Sequence, residues 1–144
     1  MFANDKRRLF RILTRADEAD VRAMAERLLS NHEAVVVKPP EKTLAMVRLR
    51  ETVQAKLFYL GEVIVWEAAV TLDGTPGIAV TMDGTADKAI AMAVIDAAVN
   101  RGVFADEALL LALEAAQLLR DGREIAMHRQ TAVHFTSMDA EMPT

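Results

Sequence analysis

The sequence predicts an α+β fold of one domain, with helices before and after a mostly antiparallel sheet of about five to six strands. Apolar residues recur at helical spacing near both ends of the chain, whereas the middle combines β-branched runs with alternating apolar and polar residues. The 144 residues suit a single domain that buries a core without disulfides. No repeat, low-complexity run or linker divides them, so we treat residues 1–144 as one domain.

Two helices are predicted at the N-terminus. Residues 5–13 place Leu9, Phe10 and Leu13 on one helical face. Asp17 suits the N-cap of a second helix, which extends to about Ser30. The apolar stripe of this second helix consists of Val21, Met24, Ala25, Leu28 and Leu29.

Five segments in the middle of the chain are predicted strands, because they are rich in β-branched residues or alternate apolar with polar side chains. They cover residues 34–38, 43–50, 56–60, 62–72 and 77–82, with residues 131–138 as a candidate sixth strand. Pro39-Pro40 is expected to end the first strand, and Gly61 to separate the third from the fourth. Asp73-Gly74 predicts a hairpin turn, since this pair accepts the positive φ that tight hairpins require.

The C-terminal part predicts helices that are apolar on most of their surface. A helix over residues 86–100 is closed by Gly102, and a further helix covers residues 106–119. Gly122 is expected to separate it from a helical segment at residues 124–130. A helix that is apolar on nearly all sides is normally covered on all sides. The two long helices therefore either bury each other against the sheet or present one face to another subunit.

The composition excludes several classes of protein and of site. The chain has no cysteine, which removes disulfides, thiolate nucleophiles and Cys-ligated zinc or iron–sulfur centres. Its formal charge of −4 and its pI of about 5.4 lack the basic footprint of a nucleic-acid-binding protein. The N-terminus has no apolar signal segment and no apolar run reaches the length of a membrane span, so we expect a cytoplasmic location and no membrane partner.

Four segments together resemble a known family in their order and spacing. They are LFYLGEVIVWEAAV at residues 57–70, DGTPG at 73–77, a helix that opens with Asp87-Lys88 and contains IDA at 95–97, and TAVHFTSM at 131–138. The pattern is similar to that of PhnG, the small subunit of the bacterial carbon–phosphorus lyase complex, over nearly the whole chain. No single motif is chemically specific, so the resemblance depends on the order of the segments.

The resemblance implies a role in phosphonate catabolism within an assembly. PhnG-type subunits join PhnH, PhnI and PhnJ in a core complex. Together with PhnL, the G, H and I subunits are associated with displacing adenine from ATP by a phosphonate, which gives a ribose 1-phosphonate 5-triphosphate. A separate radical subunit then cleaves the carbon–phosphorus bond with an iron–sulfur cluster, for which a chain without cysteine supplies no thiolate. ATP is thus implied for the complex, whereas this chain is expected to hold no cofactor and to be non-catalytic alone.

The histidines and the paired glutamates of the sequence do not form a recognisable site. His128 and His134 do not have the i, i+4 spacing of a helical metal pair, and His32 stands alone, so no metal site is predicted. Glu62 and Glu67 lie an odd number of residues apart on one strand and are expected to point to opposite faces. They are therefore poor partners for acid–base chemistry.

Two further motifs have both a structural and a functional interpretation. Asp83-Gly84-Thr85 precedes a helix and is interpreted as a cap rather than a phosphate site, because Asp83 and Asp87 would repel an anion. A basic cluster on the first helix is either a solvated face or a contact for an acidic partner or nucleotide. It consists of Lys6, Arg7, Arg8, Arg11 and Arg15. No serine lies in a G-x-S-x-G context, so no catalytic residue is predicted.

Trp66, Leu109 and Leu113 are the predicted interface residues, because they lie on apolar elements that one small domain has difficulty covering. The expected cover is PhnI, or a second copy of the chain where PhnI is absent. Two other functions remain open. One is a non-catalytic homodimer with a small-ligand pocket. The other is a free-standing enzyme acting through Asp83 or Asp96, for which the sequence offers no convergent nucleophile, base and orienting group.

Overall fold

The computed structural model describes residues 2–82 and 84–133. After a 3-10 turn at Phe2–Asn4, the described elements are α1 (Lys6–Arg15), α2 (Glu18–Leu29), β1 (Ala34–Arg50), β2 (Leu57–Leu72), β3 (Thr75–Thr81), α3 (Ala86–Arg101) and α4 (Glu107–Gln130). The three strands form one antiparallel sheet in the order β1-β2-β3. The predicted α+β class is confirmed. No helix in the described part of the chain is long and apolar enough to cross a membrane.

The prediction of five to six strands is wrong, because two predicted pairs are each one long strand. Pro39-Pro40 does not end β1, which continues to Arg50. Within residues 2–82 and 84–133, β1 pairs only with β2, so its other edge has no partner strand there, and proline is tolerated on such an edge. Register shifts between Val36 and Lys38 and between Lys38 and Glu41 accommodate the two prolines as irregularities of the ladder.

Neither Gly61 nor Gly122 interrupts its element. Gly61 lies within β2 opposite Val47, next to a further register shift. Gly122 lies within α4, where the intrinsic cost of about 1 kcal/mol for a helical glycine is too small to break a helix of 24 residues. Of the predicted sixth strand, residues 131–133 are not extended into a strand, and residues 134–138 lie outside the described residues.

Local signals placed the hairpin turn and two helix ends correctly. Leu72 pairs with Thr75, so Asp73 and Gly74 form a two-residue turn with φ of 47° and 85°, both in the left-handed region that this turn needs. The Thr85 hydroxyl accepts a hydrogen bond from the Lys88 N–H at 3.3 Å and caps α3. Gly102 ends α3 with a φ of 79°.

The core is organised around α3, which contacts β2 and β3 on one side and α2 on another. Every residue from Lys88 to Val99 is buried apart from Ile90, which is partly buried. Gly77 on β3 lets the helix approach closely, because a Cβ atom there would lie 2.3 Å from the Ala93 carbonyl oxygen. For α3, therefore, burial within the chain itself explains its apolar surface.

Candidate interaction surface

The polar residues of α3 cover the outer edge of the sheet. Asp96 accepts a hydrogen bond from the backbone N–H of Ile78 at 3.1 Å, and Asn100 donates to the Pro76 carbonyl at 2.9 Å. Both backbone groups belong to β3, whose outer edge has no neighbouring strand among the described elements. An unpaired edge is a template for unwanted strand pairing, so these two contacts give Asp96 and Asn100 a structural role. Asp83, the other aspartate considered for catalysis, lies outside the described residues.

The basic cluster of α1 holds helices together. Three of its five members form ion pairs that reach far along the chain: Lys6 with Asp96 at 2.6 Å, Arg8 with Glu114 at 2.5 Å and Arg15 with Asp121 at 2.5 Å. Hydrogen bonds from the arginines lower the pKa values of Glu114 and Asp121 below their usual range. Arg7 and Arg11 are exposed. The cluster is thus largely a fastening of α1 to α3 and α4, a third interpretation that the sequence did not suggest.

Lys88 is buried beside the predicted cap and closes the end of α1. Its ammonium donates to the carbonyls of Thr14 and Ala16, both at 2.8 Å. A cation at these carbonyls suits the negative end of the helix dipole. An open cleft of about 440 Å³ lies beside it, and its other charged lining residues carry both signs, as with Arg120 and Glu124. The geometry supports the cap rather than a phosphate site.

The histidines occupy separate places. His32 Nδ1 lies 2.6 Å from Asp73 Oδ2, and Asp73 Oδ1 accepts from the Glu33 N–H at 3.0 Å. That backbone hydrogen bond, followed by the one to His32, lowers the pKa of Asp73. His128 is exposed on α4, and His134 lies outside the described residues. Among residues 2–82 and 84–133, no three His, Asp or Glu side chains are grouped so as to hold a metal ion.

One face of α4 is apolar and uncovered. We call it the α4 stripe, and its members recur at the three- and four-residue spacing of a helix that faces a core. They are Ala108, Leu111, Ala112, Ala115, Leu118, Leu119, Gly122, Ile125 and Ala126, all of them exposed. Leu118 and Leu119 are 63% and 62% exposed, whereas Leu110 on the opposite face is fully buried. The stripe has the composition of a buried surface, and no described residue of the chain covers it.

The predicted interface residues are less exposed than the sequence analysis expected. Trp66, Leu109 and Leu113 are each half-buried and pack against the core. The Lys42 ammonium also lies 5.4 Å from the centre of the Trp66 ring, a distance typical of a cation–π contact. Leu118 and Leu119 of the α4 stripe are far more exposed than these three residues. The sequence prediction missed them because it did not separate the two faces of the helix.

A second uncovered surface is formed where β1 and β2 extend beyond β3. The last residue of β3, Thr81, pairs with Trp66, so β1 and β2 continue from Leu44 and Ile64 as a two-stranded ribbon. We call residues 44–64 the β-arm. Its exposed large apolar side chains are Leu44, Met46, Leu49, Val53, Leu57, Phe58, Tyr59, Leu60 and Ile64. A ribbon of two strands is marginally stable in water unless a further layer covers it.

These features define a class of protein: an α+β domain with internally paired charges and large uncovered apolar surfaces, as in a subunit of an assembly. The family model described as "Phosphonate metabolism protein PhnG" matches residues 4–139, nearly the whole chain. The chain belongs to the PhnG family, and its field of action is phosphonate metabolism. A comparison with proteins of curated function finds no match.

Proposed function

We propose that this chain is a non-catalytic, cytoplasmic subunit of the carbon–phosphorus lyase core complex. In this role it supports the transfer of a phosphonate to C1 of the ATP ribose, together with PhnH-, PhnI- and PhnL-type subunits, while a PhnJ-type subunit acts later. The observation that carries the proposal is the combination of PhnG family membership with an α4 stripe that has the composition of a buried surface.

The reaction requires cations that bind the substrates, and three cations of α1 are instead paired with carboxylates of this chain. A phosphonate oxygen forms the new bond to C1, the bond from C1 to the adenine nitrogen breaks, and adenine leaves with the electron pair and takes up a proton. The site must bind a triphosphate and a second anion, which requires cations directed at the substrates. Lys6, Arg8 and Arg15 are already neutralised by carboxylates within the chain. We propose that partner subunits supply the remaining substrate-binding cations and the chemistry.

A PhnI-type subunit is the proposed cover of the α4 stripe, and the predicted interface residues Trp66, Leu109 and Leu113 are proposed to contact the same subunit. Burying the stripe removes several leucine and isoleucine side chains from water, each worth roughly 1.5–3 kcal/mol when fully covered. Substitutions at the half-buried Leu109 or Leu113 disturb the core of the free chain as well as the contact. Variants on the exposed stripe therefore separate binding from folding more cleanly.

The proposal is tested by reconstitution with ATP and methylphosphonate, with adenine release followed by chromatography. The purified chain alone is expected to release no adenine. A mixture of PhnH-, PhnI- and PhnL-type subunits should release adenine at least about tenfold faster when the chain is present, because an uncovered partner site loses its positioning. Adenine release by the chain alone, or full activity of the mixture without it, would contradict the proposed role.

A further inference from the structure

The β-arm is apolar on both of its faces. Side chains of paired residues lie on the same face of a ribbon, and successive residues alternate between faces. Leu44, Met46 and Ile64 therefore share one face, and Leu49 and Phe58 share the other. All five are exposed. A ribbon that lies flat on a partner needs only one apolar face, so two apolar faces indicate insertion into a cleft.

The apolar area of the arm is of the size that a stable interface requires. Its nine large apolar side chains are between 43% and 85% exposed. Taking about 150 Å² for each side chain, the low end of the range that aromatic side chains bury, the two faces and the tip together expose on the order of 800 Å² of apolar surface. The largest apolar patch of a typical monomer is roughly 300–600 Å², and one side of a standard protein interface covers about 800 Å². The arm alone can therefore anchor a partner.

The charges at the tip identify the kind of partner. Residues 48–56 contain three basic residues, Arg48, Arg50 and Lys56, and one acidic residue, Glu51, in a chain that is acidic as a whole. A symmetric contact between the tips of two copies would place these bases against each other, which like-charge repulsion opposes. The carboxylates at the base of the arm, Glu41 and Glu67, already pair with Lys38 at 3.2 and 3.0 Å.

We propose that the β-arm inserts into an apolar cleft of a different subunit, whose rim carries carboxylates that face Arg48, Arg50 and Lys56. This proposal rests on the proposed function in one respect: the other subunit is taken to belong to the same assembly. The β-arm and the α4 stripe are different segments of the chain, so the two contacts can be tested separately. The apolar faces supply affinity, and the basic tip selects the orientation and excludes a second copy of the chain.

The first test places a photo-cross-linking phenylalanine analogue at Tyr59, with the full chain co-expressed with the PhnH-, PhnI-, PhnJ- and PhnL-type subunits. Tyr59 is 61% exposed, so the change leaves the fold intact. Irradiation is expected to join the chain to one of these subunits. Cross-linking only to a second copy, or no cross-link above that of the same analogue at the exposed Arg7 on α1, overturns the proposal.

The second test compares two charge reversals of equal size in the same co-expressed complex. R48E with R50E should weaken binding to the other subunits by at least about tenfold and reduce its salt dependence. R7E with R11E, on α1, should leave binding within about twofold. Equal binding by both variants overturns the arm contact while the proposed function stands. If the wild-type chain joins none of the subunits, the proposed function itself fails, and the arm contact with it.

Discussion

At the residue scale, the sequence predicted helix caps and turns correctly but could not predict contacts between residues far apart in the chain. Thr85, Gly102 and the Asp73-Gly74 turn act on backbone groups a few residues away, so their spacing in the sequence predicts their role. The partner of Asp96, by contrast, is Lys6, 90 residues earlier. No local pattern indicates which of many lysines and arginines will meet a given carboxylate. The ion pairs of the basic cluster of α1 could therefore not be predicted from the sequence.

Replacing Asp96 is expected to destabilise the chain through the edge of β3. D96A leaves the Ile78 N–H without its acceptor and Lys6 without its carboxylate. The free energy of unfolding should fall by about 1–2 kcal/mol, toward the lower end of the cost of an unsatisfied polar group, because the contact is only partly buried. D96N keeps an acceptor for Ile78 and should lose less than half as much. Urea unfolding of both variants measures the difference, and equal losses would argue against the edge contact.

Asp73 is expected to make stability depend on pH at the acid end. Its pKa is lowered in the folded chain, so the unfolded chain binds more protons and stability rises with pH through this range. The contribution is present above the ordinary pKa of an aspartate, near 4, and is lost as pH falls through the lower folded value. D73N retains a turn residue that accepts positive φ and should show a shallower loss of Tm below pH 5. Parallel melting curves for the two proteins would contradict this assignment.

At the scale of elements, the type of each segment was predictable and its length was not. Pro39-Pro40, Gly61 and Gly122 were each expected to end an element, and each lies inside one. Their local cost is small or is avoided by an unpaired strand edge, while the ladder or helix on both sides continues to gain hydrogen bonds. A breaker residue therefore decides an element boundary only when the neighbouring residues do not favour continuation.

Alanine substitutions at Gly122 and Gly102 test whether a glycine ends a helix. The two positions are comparable because a Cβ atom at either one meets nothing within 4 Å. G122A should raise the helical content and stabilise the chain by about 0.5–1 kcal/mol, because alanine is the better helix former. G102A should destabilise it by about 1 kcal/mol, because the φ of 79° there disfavours any side chain. Circular dichroism with urea unfolding checks both, and a loss of stability in G122A would show that α4 needs a break there.

At the scale of the whole molecule, the predicted family is confirmed. The sequence left two alternatives open for the C-terminal helices, and burial within the chain holds for α3, whereas α4 exposes an apolar surface. The location of that surface was only partly predictable, because composition shows how apolar a helix is but not which neighbours it meets. α3 proved to be covered by the chain itself, whereas the α4 stripe and the β-arm are exposed. The large exposed surface belongs to the elements that extend past the core, and this follows from strand and helix lengths that the sequence did not reveal.

The most direct test of the central claim, that a partner subunit covers the α4 stripe, is the affinity of L118D for a PhnI-type subunit. Leu118 is 63% exposed, so the variant should fold as the wild type does, while burial of an aspartate should weaken binding at least about 30-fold. R120D places the same residue on the same helix but away from the stripe and should bind almost normally. L110D, at a fully buried position, should unfold. A folded L118D that binds with wild-type affinity would contradict the account.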